Sequence, residues 1–337
     1  MEPVLRALSR SHEAILVHTG QHYDPTMSAM ILRSLKLRRP HATLGVGSGS
    51  HATQTARIVE RLEPILARRR PHAVLVFGDT NSTLAGALTA SKMEIPVAHV
   101  EAGLRSYNRA MPEELNRIVV DHLSDLLFCP TAAAVSNLRR EGLRKGVHRV
   151  GDVMLDSARA WGSAVRRRHV ARALGLRKGR YLLLTLHRPG NVDDPATLSR
   201  ILRAVGRLGE TVLFPVHPRT RTRLRRARLG STASALRMVE PLNYLDFLSA
   251  LMDSSKVLTD SGGVQKQAYF FGVPCITLRE ETEWVETVRS GWNTLVGTRP
   301  GAIARAVREV SPAGRRPQFY GDGHAAENIL KALEARL

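Results

Sequence analysis

Short apolar runs, rich in β-branched residues and Leu, alternate along the whole chain with longer amphipathic or Ala-rich stretches. Val74–Phe77 (V-L-V-F), Pro96–Val100, Leu126–Pro130 and Val147–Val150 form one series. Tyr181–Leu186, Thr211–Val216, Ser255–Thr259 and Pro274–Leu278 form a second. None is long enough for a helix and none alternates with polar residues, which is how strands covered on both faces read. Glu13–Thr19 is a further, weaker strand. Between them the spacing predicts helices over His51–Arg69, Ser82–Lys92, Glu113–Ser124 and Ala132–Glu141, one starting at Val264, and a last one over Gly323–Leu337. Strands alternating with helices imply parallel sheets built from βαβ units. The expected fold class is α/β, with two Rossmann-like doubly wound domains facing across a cleft.

The pattern changes between 153 and 180, where a helix with Trp161 runs into an Arg-rich stretch ending at Lys178-Gly179. This is read as the crossing between domains, giving 1–155 and 175–318. The last helix, within 320–337, is expected to return to the first domain and to pack across the junction. Residues 3–10 look like the end of a helix, and the Gly/Ser segment 44–50 like a loop.

In open parallel sheets, ligands lie beyond the carboxyl ends of the strands, so the residues there carry the chemistry. In the first half those ends hold Gly78-Asp79-Thr80 and Glu101-Ala102-Gly103, and Glu113-Glu114 opens the helix after Pro112. Each acid has an ordinary reading: Asp79 as a helix cap, Glu101 as a surface acid, Glu113 as a first-turn partner of the helix dipole. Their convergence on one sheet edge points to acid–base chemistry instead. The second half ends its strands in His187-Arg188-Pro189, His217-Pro218-Arg219, Asp260-Ser261-Gly262-Gly263 and Arg279. A Ser-Gly-Gly turn at a helix start offers bare backbone N–H groups to a phosphate. Carboxylates in one half, and cations with an anion-binding turn in the other, suit a nucleotide-sugar enzyme.

Charge modifies this picture little. The net charge is +20, but only seven of the 50 basic residues are Lys, and the Arg bias fits a GC-rich coding sequence. Arg166-Arg167-Arg168 and the scatter from Arg219 to Arg228 fall on helical surfaces without interleaved aromatics, so no nucleic-acid partner is expected. No run of about 18 apolar residues suggests a membrane span, and no secretory signal opens the chain. Cys129 and Cys275 sit in apolar runs and read as buried free thiols of a cytoplasmic protein.

Nine motifs in order carry a resemblance. They are T-G-Q-H-Y-D (19–24), G-D-T-N-S-T (78–83), H-V-E-A-G-L-R (99–105), M-P-E-E-L-N-R (111–117), L-H-R (186–188), P-V-H-P-R (215–219), Y-L-D-F (244–247), T-D-S-G-G-V-Q-K (259–266) and L-R-E-E-T-E-W-V-E (278–286). With them the chain resembles the non-hydrolysing UDP-N-acetylglucosamine 2-epimerases, which are GT-B-like. The resemblance implies inversion at C2 through elimination of UDP and its re-addition. It implies Asp79, Glu101, Glu113 and His187 as catalytic residues. Arg117, Phe247 (against uracil), Ser261, Gly262, Gly263 and Gln267 would bind substrate. Gln21, Arg188 and His217 would line an allosteric site for a second substrate molecule. UDP-N-acetylglucosamine and UDP are the expected ligands, a homodimer the expected assembly, and no cofactor or metal is expected. A hydrolysing relative, a glycosyltransferase or an inactive nucleotide-sugar-binding remnant are the alternatives. Two departures stand out. Glu2–Leu5 match the helix that follows the family's opening strand and G-T-R-P-E-type loop, so that central strand and a phosphate-binding cation are expected to be missing. Gln267 replaces a Glu that holds the ribose hydroxyls.

Overall fold

The apolar runs become parallel strands, and the side chains within each strand divide between two faces. The computed structural model describes residues 1–21, 35, 37–230, 236–312 and 314–336. Met1–Ser157 with Gln318–Leu337 forms one unit, and Ala158–Pro317 the other. His22, Tyr23 and Asp24 of the expected loop, and Leu337 of the expected last helix, lie outside the described residues.

In the first unit, β3 (Val74–Phe77), β4 (Val97–Val100), β5 (Leu126–Cys129) and β6 (Val147–Arg149) make a parallel sheet in the order β3-β4-β5-β6. Ala98, Val100, Leu126 and Phe128 face one core, shared with Val4 and Ala7 of the helix Glu2–Leu8. Val76 and Val97 face another, with Ile58, Leu62 and Leu66 of the helix His51–Arg69. This period-2 division is what covers both sheet faces. The strand expected over Glu13–Thr19 shortens to β1 (Val17–His18), which pairs with β2 (Ala42–Thr43) in a separate two-stranded sheet. Among the described residues β3 is therefore an edge strand. The last helix, Ala325–Glu334, buries Ala325, Ala326, Ile329 and Leu333 in the core that contains Val4 and Ala98. That core belongs to the first unit. The Asp156 carboxylate accepts from the N–H groups of Ala325 and Ala326 at 3.2 and 2.8 Å, capping the helix.

The second unit holds one six-stranded parallel sheet in the order β12-β11-β10-β7-β8-β9. Its strands are β7 (Leu182–Thr185), β8 (Val212–Pro215), β9 (Arg237–Val239), β10 (Lys256–Thr259), β11 (Cys275–Thr277) and β12 (Asn293–Leu295). From β7 the chain builds outward one way through β8 and β9, then returns and builds the other way from β10. The switch point falls between β7 and β10, where a doubly wound sheet opens a crevice for ligands. The sequence pattern missed β2, β9 and β12, each only two or three residues long. Cys129 and Cys275 are both buried and unbridged.

Candidate active site

In the first unit, two turns follow neighbouring strands. Gly78, at φ +68°, bends the chain after β3 and places Asp79. Glu101 follows β4 at φ +74°, a left-handed conformation that residues with a side chain seldom adopt and that gathers at functional turns. The N–H groups of Glu101 and Ala102 hold the turn by donating to the Phe128 carbonyl, each at 3.1 Å. Glu101 Oε2 lies 3.5 Å from where a Cβ on Gly78 would stand, so the Glu101 carboxylate packs against the Asp79 turn.

Arg117 joins this edge to the helix Pro112–Leu123. Its guanidinium is buried; Nη1 donates to Asp79 Oδ2, while Nη2 and Nε donate to Glu114 Oε2 at 2.7 and 3.0 Å. Glu114 is itself buried and accepts from Ser106 N–H, Ser106 Oγ and Tyr107 N–H at 2.9, 3.0 and 2.8 Å. Burial alone would raise its pKa; the donors from Ser106, Arg117 and Tyr107 outweigh burial and hold the carboxyl below its ordinary range. Glu113, one residue earlier in the first helical turn, is half-buried. In the sequence Glu114 shows only as the neighbour of Glu113, and its i,i+3 spacing to Arg117 is the signal of its pairing. Asn116 Nδ2 donates to the Asp79 carbonyl at 2.8 Å. Gln21 Oε1 accepts from Ser82 N–H at 2.9 Å, so this expected allosteric residue caps the helix that follows Asp79.

In the second unit the switch point brings three turns together. Asp260, fully buried after β10, accepts from His187 N–H at 3.1 Å, Arg188 N–H at 3.1 Å and Asn191 Nδ2 at 3.2 Å. Its Oδ1 lies 3.3 Å from His187 Nδ1. Burial would raise Asp260, but His187 and the two N–H donors depress it. The contact arises because β10 and β7 end side by side. The His217 ring lies tilted against the His187 ring, their centroids 5.6 Å apart, and accepts through Nδ1 from Arg219 N–H. Ser261 caps the helix Gly262–Phe271 by accepting from Val264 N–H, which leaves Gly262 and Gly263 N–H without intrahelical acceptors. Phe247 is partly buried against the second unit's core, and Gln267 is buried in the same helix as Gly262.

The first unit thus gathers acids beside a buried guanidinium, and the second brings His187, Arg188 and His217 to the edge where the helix Gly262–Phe271 starts. Residues 6–334 match a family described as UDP-N-acetylglucosamine 2-epimerase. The chain is 43% identical over 339 residues to a UDP-N-acetylglucosamine 2-epimerase homolog of Methanococcus maripaludis, covering 99% of this chain and 95% of that one. It is also 43% identical to the UDP-2,3-diacetamido-2,3-dideoxy-D-glucuronate 2-epimerase of Pseudomonas aeruginosa, covering 95% of this chain and 90% of that one. Among solved structures it is similar to Methanocaldococcus jannaschii UDP-GlcNAc 2-epimerase in complex with UDP-GlcNAc and UDP. There the TM-score is 0.94 at 38% identity, over 99% of this chain and 95% of that one.

Proposed function

The chain belongs to the UDP-N-acetylglucosamine 2-epimerase family, an enzyme family with the GT-B-like fold, and we propose that it interconverts UDP-N-acetylglucosamine and UDP-N-acetylmannosamine, supplying cell-surface polysaccharide. The observation that supports this most directly is the contact between the Asp79 and Glu101 turns at the carboxyl ends of adjacent strands. The C2 proton of the sugar is weakly acidic, so a positioned carboxylate must remove it. As it leaves, a C1–C2 double bond forms and the C1–O bond breaks, its electron pair going to UDP. Re-addition of UDP at C1 is accompanied by proton delivery to the opposite face of C2 from a second acid. Asp79, Glu101 and Glu113 supply these acids. The N–H groups of Gly262 and Gly263, with His187, hold the diphosphate and stabilise its charge on departure, and Phe247 packs on the uracil. Gln267 keeps a hydrogen-bonding side chain for the ribose.

Asp79→Asn, Glu101→Gln and Glu113→Gln are each expected to lower turnover by about two orders of magnitude or more. Formation of the manno epimer, followed by NMR in deuterated water with label counted at C2, measures this. Near-normal turnover in all three would remove them from the mechanism. A second reading keeps the chemistry and changes the sugar. It is favoured by the 43% identity to the enzyme acting on the diacetamido glucuronate, and parallel assays with both nucleotide sugars separate the two.

The assembly we propose is a homodimer. Leu115 and Val119, four residues apart on the helix Pro112–Leu123, are large apolar side chains left exposed, as a self-complementary contact would use. Light scattering that finds a monomer overturns it. Two buried unbridged thiols are in keeping with a reducing compartment, and we place the enzyme in the cytoplasm. Among the described residues no helix is long and apolar enough to cross a membrane.

A further inference from the structure

Beneath the two acid-bearing turns lies an ionic chain whose His99, Asp121 and Arg105 are buried. His99 of β4 is completely buried; its Nδ1 stands 2.7 Å from Asp121 Oδ1, and its Nε2 2.8 Å from the Gly78 carbonyl oxygen. Asp121, also fully buried, accepts from Arg105 Nη1 at 2.7 Å and from Gly103 N–H at 3.1 Å. Arg105 in turn grips Glu141 through Nε and Nη2 at 2.7 and 2.6 Å.

The partners of the His99 ring decide its protons. The Gly78 carbonyl can only accept. Asp121, with a guanidinium and a backbone N–H already donating to it, is an acceptor too. A neutral imidazole has one N–H and one lone pair, so a neutral His99 would set a lone pair against an oxygen lone pair at one of two short contacts. We infer that His99 is a doubly protonated imidazolium that acts as a positioning residue, donating to Asp121 from Nδ1 and to Gly78 from Nε2.

Asp121 is a buried anion set between His99 and Arg105, and a buried carboxylate needs such partners; Glu141, which pairs the other edge of Arg105, reaches solvent. Burial would raise Asp121, but His99 and Arg105 draw it well below the carboxylate range. The neighbouring Cys129 thiol is pushed up by burial and by Asp121, so it adds no charge.

The consequence is positional. One cation–anion pair fixes a peptide group on each acid-bearing turn: the Gly78 carbonyl, immediately before Asp79, and the Gly103 N–H, two residues after Glu101. The spacing of the two carboxylates is thereby set from below, by residues that do not touch substrate. This positional role rests on the proposed epimerase reading; the charge state does not.

The test has two arms. With ring-15N-histidine in the full-length chain, His99 is assigned by through-bond correlation or by its loss in His99→Gln. Protons on both of its ring nitrogens are expected. A bare ring nitrogen, including the case where Asp121 carries the proton, overturns the inference. In the kinetic arm, His99→Gln and Asp121→Asn are expected to lower kcat at least tenfold while KM and the dissociation constant for UDP stay within twofold. Variants that melt cooperatively and turn over as wild type would overturn the positioning role, as would a loss confined to KM. If the wild-type chain turns over no UDP-N-acetylglucosamine, the functional reading fails while the NMR arm still decides the charge state.

Discussion

Arg117 and Glu114 show how single side chains hold the acidic edge together. Arg117 reaches two carboxylates at once, Asp79 from β3's turn and Glu114 from its own helix. Arg117→Ala would leave the Glu114 carboxylate buried without its cation, a change that typically costs about 3–5 kcal/mol; urea melts at neutral pH measure it. The pH dependence has a definite sign. Glu114 titrates lower in the folded chain than its ordinary 4.5, so its contribution is fully present above that pH and is lost as the pH falls through the folded value. Glu114→Gln should therefore flatten the acid limb of the stability profile while lowering stability near neutrality. An acid limb as steep as wild type would mean that other carboxylates, such as Asp121 and Asp260, carry it. Sequence spacing made Asp79, Glu101 and Glu113 visible because each stands at a strand end or helix start. It does not reveal the pairing of Asp121, Asp260 and Glu141. Their partners His99, His187 and Arg105 are 22, 73 and 36 positions away, and only the closed sheet brings them into reach.

At the level of elements, the turn from β10 into the helix Gly262–Phe271 leaves no room for a side chain at its first residue. A Cβ on Gly262 would stand 2.1 Å from Glu283 Oε1 and 3.2 Å from Trp284 Nε1. Glu283 is buried and accepts from Arg279 Nη2 at 3.0 Å, so its carboxylate has little freedom to withdraw. Gly262→Ala should push the helix start away from Glu283 and weaken UDP by about tenfold, ~1.4 kcal/mol. Calorimetry in two double variants isolates the cause. Adding Glu283→Ala to Gly262→Ala should recover part of the affinity, and adding Glu283→Gln should not, because the amide keeps the clash. Equal affinity in Gly262→Ala and wild type would mean that the glycine is not needed for the turn. The same elements mark where the sequence pattern was readable. Val74–Phe77, Leu126–Cys129 and Leu182–Leu184 are continuous apolar runs because helices cover both sheet faces. Ala42–Thr43 and Asn293–Leu295 are too short and too mixed to show any period, and they become strands only because a neighbouring edge is there to pair with.

For the whole molecule, the two units differ in how their sheets are closed, and this should appear in how the protein unfolds. Each unit has its own pair of cores, one on each face of its sheet. Two units with separate pairs of cores permit two transitions where a single domain gives one. The second unit has six strands in one ladder; among the described residues the first has four, with β1 and β2 apart and β3 at an edge. An apolar strand with one unpaired edge contributes fewer hydrogen bonds and less burial, so the first unit should melt at lower denaturant. The His187, Ser261-Gly262-Gly263 and Phe247 groups proposed to bind UDP all belong to the second unit. Ligand that binds only the folded second unit stabilises that unit alone, by about 2.7 kcal/mol at a hundredfold excess over the dissociation constant. The chain supplies the probe: its three tryptophans, Trp161, Trp284 and Trp292, all lie in the second unit. Far-UV circular dichroism should therefore show two steps in urea, with tryptophan fluorescence following only the later one. UDP should move the fluorescence midpoint to higher urea and leave the first dichroism step where it was. Coincident single transitions by both probes, shifting together with UDP, would show that the units unfold as one.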